Sequence, residues 1–113
     1  MATMLYDDYN MNRFAIGRME SDGKIYPDPI NGTPIGRVES DGKVYDDAYT
    51  GRVVGYVDDD GKIYRGMGPG TVVGRVSDDG VVYNSGFGGQ SVGRVDGGSK
   101  YNAGAALLLL LLD

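Results

Sequence analysis

Ile16-Gly17-Arg18-Met19-Glu20-Ser21-Asp22-Gly23-Lys24-Ile25-Tyr26 is the stretch on which the fold turns, because the chain repeats it. It returns as Ile35-Gly36-Arg37-Val38-Glu39-Ser40-Asp41-Gly42-Lys43-Val44-Tyr45, again from Val54 to Tyr64 and from Val73 to Tyr83, and in a shortened copy from Val92 to Tyr101. The copies begin at 16, 35, 54, 73 and 92, a constant spacing of 19 residues. Six residues after the closing Tyr of a copy stands another glycine, at Gly32, Gly51, Gly70 and Gly89. A fixed period of this kind marks a chain assembled from like supersecondary units.

Each unit reads as a β-hairpin: Val, Ile and Tyr flank an Asp-Gly pair, the strongest short-range hairpin signal. Two turns compete. A two-residue turn at Asp41-Gly42 would set Val38 opposite Tyr45. A longer turn with Gly42 left-handed sets Val38 against Val44 and Arg37 against Tyr45. The copies favour the second, since it places Glu20 against Lys24, Glu39 against Lys43 and Asp58 against Lys62. Both partners change together to Ser77 and Val81 in the fourth copy. Such cross-strand pairs are worth about 0.2–1 kcal/mol each. In the shortened fifth copy a turn at Gly97-Gly98 would pair Arg94 with Tyr101.

Period two then gives the faces. Gly36, Val38 and Val44 form an apolar face, its glycine marking a close approach. Arg37, Glu39, Lys43 and Tyr45 form the wet one. A lone hairpin is marginal in water, so the expectation is an all-β domain over residues 1–113: five 19-residue hairpin repeats in a closed or radial pseudo-symmetric arrangement. The ends fit closure. Leu5-Tyr6-Asp7-Asp8 echoes Val44-Tyr45-Asp46-Asp47, so a half-unit over 1–15 begins with a second strand, and Asn12 takes the loop-glycine place. The Leu segment, 105–113, with Leu107–Leu112 buried, is expected to supply the missing strand beside the N-terminal one. The alternatives are a central plug or an inter-subunit contact. Closure removes sheet edges, which otherwise template aggregation.

The unit G-R-V-x-x-D-G-K-V-Y, followed by a loop and G-x-x-V-G, resembles the hairpin repeats of bacterial β-flower-type proteins. That resemblance implies hairpins radiating about a pseudo-symmetry axis, and it brings no established activity with it. A weaker likeness is to choline-binding cell-wall repeats, whose cationic-ligand cages are built from tryptophans. This chain has none.

Composition narrows the chemistry. The chain of 113 residues has no Cys, His or Trp, and 16 Asp+Glu against 11 Lys+Arg give a net charge of -5. A disulfide framework, thiol or Ser-His-Asp catalysis and Cys/His metal centres are excluded, and the charge has the wrong sign for nucleic acid. Gly89-Gln90-Ser91-Val92-Gly93 matches a nucleophile elbow but sits at a strand start with no His available. Asp58-Asp59-Asp60-Gly61 lacks the ligand spacing of a calcium loop and reads as turn chemistry. Asn31-Gly32-Thr33 fits the glycosylation pattern. No enzyme activity, cofactor or metal is expected. The apolar run at the C-terminus is too short to span a bilayer, and residues 1–8 do not read as a leader, which points to the cytoplasm.

The feature that invites a binding role is the Arg–Tyr set: Arg18 with Tyr26, Arg37 with Tyr45, Arg75 with Tyr83, Arg94 with Tyr101, and Tyr56 with Tyr64 in the third copy. Its simplest role is a cross-strand cation–π contact worth about 0.5–1 kcal/mol. Arg and Tyr are also enriched at interaction hot spots. The expectation is a structural or protein-interaction module, with a protein partner or further copies of itself; a glycan or cell-wall-binding module is the alternative.

Overall fold

Glu20, Ser21, Asp22 and Gly23 close the first turn: Gly23 N donates to Glu20 O at 2.9 Å, and Glu20 N to Lys24 O at 3.0 Å. The next three copies repeat this pattern, and their turn glycines hold positive φ, 93° at Gly42. Only glycine adopts that conformation without strain. The bulged register follows, with Arg37 opposite Tyr45 and Val38 opposite Val44. Each turn glycine also accepts from the next hairpin, as where Val38 N reaches Gly23 O at 2.8 Å.

The computed structural model describes residues 2–7, 14–68 and 70–112. Its strands are β1 (Thr3–Asp7), β2 (Gly17–Met19), β3 (Lys24–Tyr26), β4 (Gly36–Val38), β5 (Lys43–Tyr45), β6 (Val53–Val57), β7 (Lys62–Arg65), β8 (Thr71–Val76), β9 (Val81–Tyr83) and β10 (Ser91–Asp96). All pair antiparallel in a closed ring in which β1 joins β10 to β2. The molecule is a disc, 34 × 32 × 21 Å. The all-β closed arrangement read from the repeats is the observed one.

The closure differs from the expected one in the partner of the N-terminal strand and in the form of the Leu segment. The N-terminal strand does complete a hairpin, but its partner is β10, with Tyr6 opposite Arg94 and Leu5 opposite Val95. The Leu segment is no strand. Helix α1 (Lys100–Ala106) runs on into a π-helical turn (Leu107–Leu111) inside the ring, so the plug replaces the strand pairing. Six leucines are apolar all round. A strand in this ring has one wet face, whereas the axis is apolar on every side.

The core is layered. Leu5, Met19, Ile25, Val38, Val44, Val57, Ile63, Val76, Val82 and Val95 point inward and are buried. Against them stand the small residues Ala103, Gly104, Ala105 and Ala106 of α1. The leucines meet the strand glycines one for one: Leu111 at Gly17, Leu110 at Gly36, Leu109 at Gly55, Leu108 at Gly74 and Leu107 at Gly93. A Cβ on those glycines would come within 2.6–2.9 Å of four of the leucine methyls and would overlap that of Leu108. Large meets small at both levels, as close packing requires.

The pitch of the helix fits this pairing. Hairpins in a five-membered ring are about 72° apart, while an α-helix turns about 100° per residue. The i→i+5 ladder, seen where Leu112 N reaches Leu107 O at 2.9 Å, winds less per residue. Consecutive leucines can therefore address consecutive hairpins.

Candidate functional site

The outer face carries the Arg–Tyr set, and the loops between hairpins fold down onto it. Arg37 lies 3.9 Å above the Tyr45 ring. Its Nε donates to Glu39 at 2.8 Å, and its Nη1 donates to the carbonyls of Asp47 at 2.9 Å and Thr50 at 2.5 Å. Arg18 does the same with Tyr26, Glu20, Asp28 O and Asn31 O. Arg75 does so with Tyr83, Ser85 O and Gly88 O. One guanidinium thus staples each of three loops to the barrel wall, which leaves Arg18 only 11% exposed at its side chain.

The fifth member is corrected. Arg94 stacks on Tyr6, at 3.8 Å, because β1 rather than the chain after Gly98 provides the second strand. Tyr101 instead starts the central helix, where its hydroxyl donates to Asp78 at 2.8 Å. That bond raises the pKa of its phenol. The expected Glu–Lys cross-strand pairs are also replaced. Glu20 and Glu39 bind Arg18 and Arg37 on their own strands, while Lys24 and Lys43 reach the turn acids Asp22 and Asp41 at 3.5 Å. An arginine fork two residues away on the same face offers a carboxylate better geometry than a flexible lysine.

The third copy explains itself. Tyr56 stands where the arginine should be, stacks on Tyr64 at 4.6 Å, and accepts a hydrogen bond from Gly70 N at 3.2 Å. Its loop has Gly66 where the others have Asp28, Asp47 or Ser85, and so takes a different course. Tyr64 donates to Asp58 at 2.9 Å, which raises the phenol pKa. Burial works to raise the Asp58 pKa, but the Lys62 N–H, that hydroxyl and the Asp60 N–H outweigh it and hold the pKa below the usual value.

The loops are braced from within as well. Asp28 Oδ1 accepts from Ile30 N and Asn31 N, both at 2.8 Å, and Asp47 Oδ1 accepts from Tyr49 N and Thr50 N. Those amides hold both carboxyls below the ordinary range. At the loop base Asp46 accepts from Arg52 N and Asn84 from Gln90 N. Asp7 holds the equivalent place in the first loop. Its buried Oδ1 has no partner among the described residues, and the rest of that loop, Asn12 with it, lies outside them.

Held this way, or by the Tyr56–Gly70 bond in the third copy, each described loop raises one large apolar side chain into solvent: Ile30 (76% exposed), Tyr49 (72%), Met67 (74%) and Phe87 (95%). Tyr49 lies over Lys24 Nζ at 4.7 Å, so a loop tip reaches the preceding hairpin. Phe87 and Val72 line a shallow pocket with Lys62. No single residue type marks the tips, so the repeat pattern did not flag them. At the opposite end a cavity of about 430 Å³ opens beside the start of α1, lined by Met19, Ser21, Val38, Ser40 and Asn102 among others.

No family model, curated protein or solved structure matches the chain. Among the described residues no group of three or more acidic side chains is placed to hold a metal ion, and no helix is long and apolar enough to cross a membrane.

Proposed function

We propose that the chain is a non-catalytic interaction module that binds a protein partner, or further copies of itself, through the tips of its loops. The carrying observation is the set Ile30, Tyr49, Met67 and Phe87, each more than two-thirds exposed on a braced loop. Monomeric soluble proteins scatter exposed apolar residues singly; here one recurs in each described loop of a pseudo-symmetric ring. Repetition turns weak single contacts into avidity, and a braced loop loses little entropy on binding. The Arg–Tyr set acts on this reading as the brace behind the contact surface. The radial closure supports the resemblance to β-flower-type proteins, which carries no activity with it.

The test compares the wild-type chain with a variant carrying Ser at positions 30, 49, 67 and 87. The variant should keep the wild-type melting temperature and lose self-association in analytical ultracentrifugation or capture of the partner. A wild-type chain that stays strictly monomeric and recovers no partner overturns the reading.

A further inference from the structure

The loop that follows β3 contains a reactive pair that the other described loops lack. Asn31 precedes Gly32 at the point where the second and fourth units carry Thr50-Gly51 and Gly88-Gly89. Asn31 is exposed, Gly32 holds φ 100°, and neither the Asn31 side chain nor the Gly32 N–H has a hydrogen bond among the described residues. The Asn31 carbonyl, which belongs to the peptide bond containing the Gly32 nitrogen, accepts from Arg18 Nη1 at 2.9 Å.

We propose that Asn31 is a site of spontaneous deamidation, activated by Arg18. The Gly32 nitrogen loses its proton and attacks Asn31 Cγ. The new N–Cγ bond closes a five-membered imide, the Cγ–Nδ2 bond breaks, and ammonia leaves with the proton. Water then opens either C–N bond of the imide, giving aspartate or isoaspartate. Deprotonating a peptide nitrogen places negative charge chiefly on the carbonyl oxygen of that peptide. A guanidinium already bonded to that oxygen stabilises the charge where it develops. Glycine contributes by lacking a Cβ that would obstruct the attack. The isoaspartate product lengthens the backbone by one methylene beside the carbonyl that Arg18 grips, and either product adds a negative charge next to the Ile30 tip.

The loop geometry supplies its own control, because Arg37 grips Thr50 O as Arg18 grips Asn31 O. The full-length chain, a Thr50→Asn variant and an isolated peptide of residues 27–34 are incubated at neutral pH and body temperature, then mapped for a gain of about 1 Da and for isoaspartate. The expected result is conversion of Asn31 several-fold faster in the folded chain than in the peptide, a second reactive site at position 50 of the variant, and slow conversion at Asn84 and Asn102. Conversion of Asn31 no faster than in the peptide overturns the proposal. So does an inert position 50 in a variant whose melting temperature is unchanged.

Discussion

In three of the five units a single arginine holds together three things that the sequence keeps apart: its own strand, the next strand and a loop at least ten residues downstream. Arg37 stacks on Tyr45, pairs with Glu39 and bonds two loop carbonyls. Hydrogen bonds to a charged group contribute about 1.5–3 kcal/mol, so Arg37→Ala should lower unfolding stability by roughly that amount in urea titration. The loss should localise, with amide protection falling at Thr50 and Tyr49 first. Arg37→Lys should recover little, since an ammonium cannot reproduce the planar fork or the stack. Unchanged stability in the alanine variant would reduce the staple to decoration. The carboxylates of Asp28 and Asp47 respond to pH with a definite sign. Their folded pKa values lie below that of an ordinary aspartate because backbone amides favour the ionised form. The stability they supply is therefore fully present above the unfolded pKa and is lost as pH falls through the folded one. The amide shifts of Asn31, Ile30, Tyr49 and Thr50 should titrate together, with a midpoint below that of a free aspartate. A midpoint at the ordinary value contradicts the brace.

Among the elements, the hairpins were legible and the central helix was not, for one physical reason. A hairpin is written locally: Asp-Gly fixes the turn, and alternation fixes the faces. The helix has a stable meaning only inside the ring that surrounds it. Leu107–Leu111 carries no periodicity to distinguish helix from strand, because every direction from the axis is apolar. The complementary signal lay in the strands, where Gly17, Gly36, Gly55, Gly74 and Gly93 recur on the buried face with nothing local to explain them. Five unexplained glycines and a run of leucines are two halves of one interface. Gly55→Ala should therefore be costly beyond its volume. Its Cβ would overlap the backbone carbonyl of Tyr64 as well as approach Leu109 Cδ1 at 2.6 Å, and only the leucine can move aside. Overpacking of this kind costs about 1–3 kcal/mol. Leu109→Ala, which opens a cavity, should cost about 2–5 kcal/mol. Combining the two should not restore stability, because the carbonyl remains. Full rescue in thermal denaturation of the double variant would show that the leucine alone sets the limit.

The whole molecule is a ring of five hairpins cut open at one turn. In the first four units the chain passes from first strand to second through the Asp-Gly turn. In the fifth it leaves β10 at Asp96, bends at Gly97 and at Ser99, a left-handed non-glycine, and descends the axis as α1. The second strand of that hairpin comes from the other end of the chain, and Thr3 Oγ1 donates to Gly98 O at 2.6 Å where the missing turn would be. The sequence showed that the N-terminus begins with a second strand. It could not show which first strand receives it, because the shortened fifth copy still ends in a tyrosine that mimics completion. Tyr101 was drawn to the wrong role by its place in the repeat. The consequence is a fold that neither end can close alone. Removing residues 1–7 should take Leu5, wholly buried, out of the core and leave β10 and β2 as open edges. Losing one large core side chain costs about 2–5 kcal/mol against a total near 5–15 kcal/mol, before the lost strand pairing is counted. The truncated chain should show no cooperative thermal transition and should aggregate through its edges. A synthetic peptide of residues 1–8 should restore the transition by strand addition. If the truncated chain melts cooperatively near the wild-type temperature without the peptide, four hairpins and β10 suffice for the fold, and closure by the N-terminus is not what stabilises it.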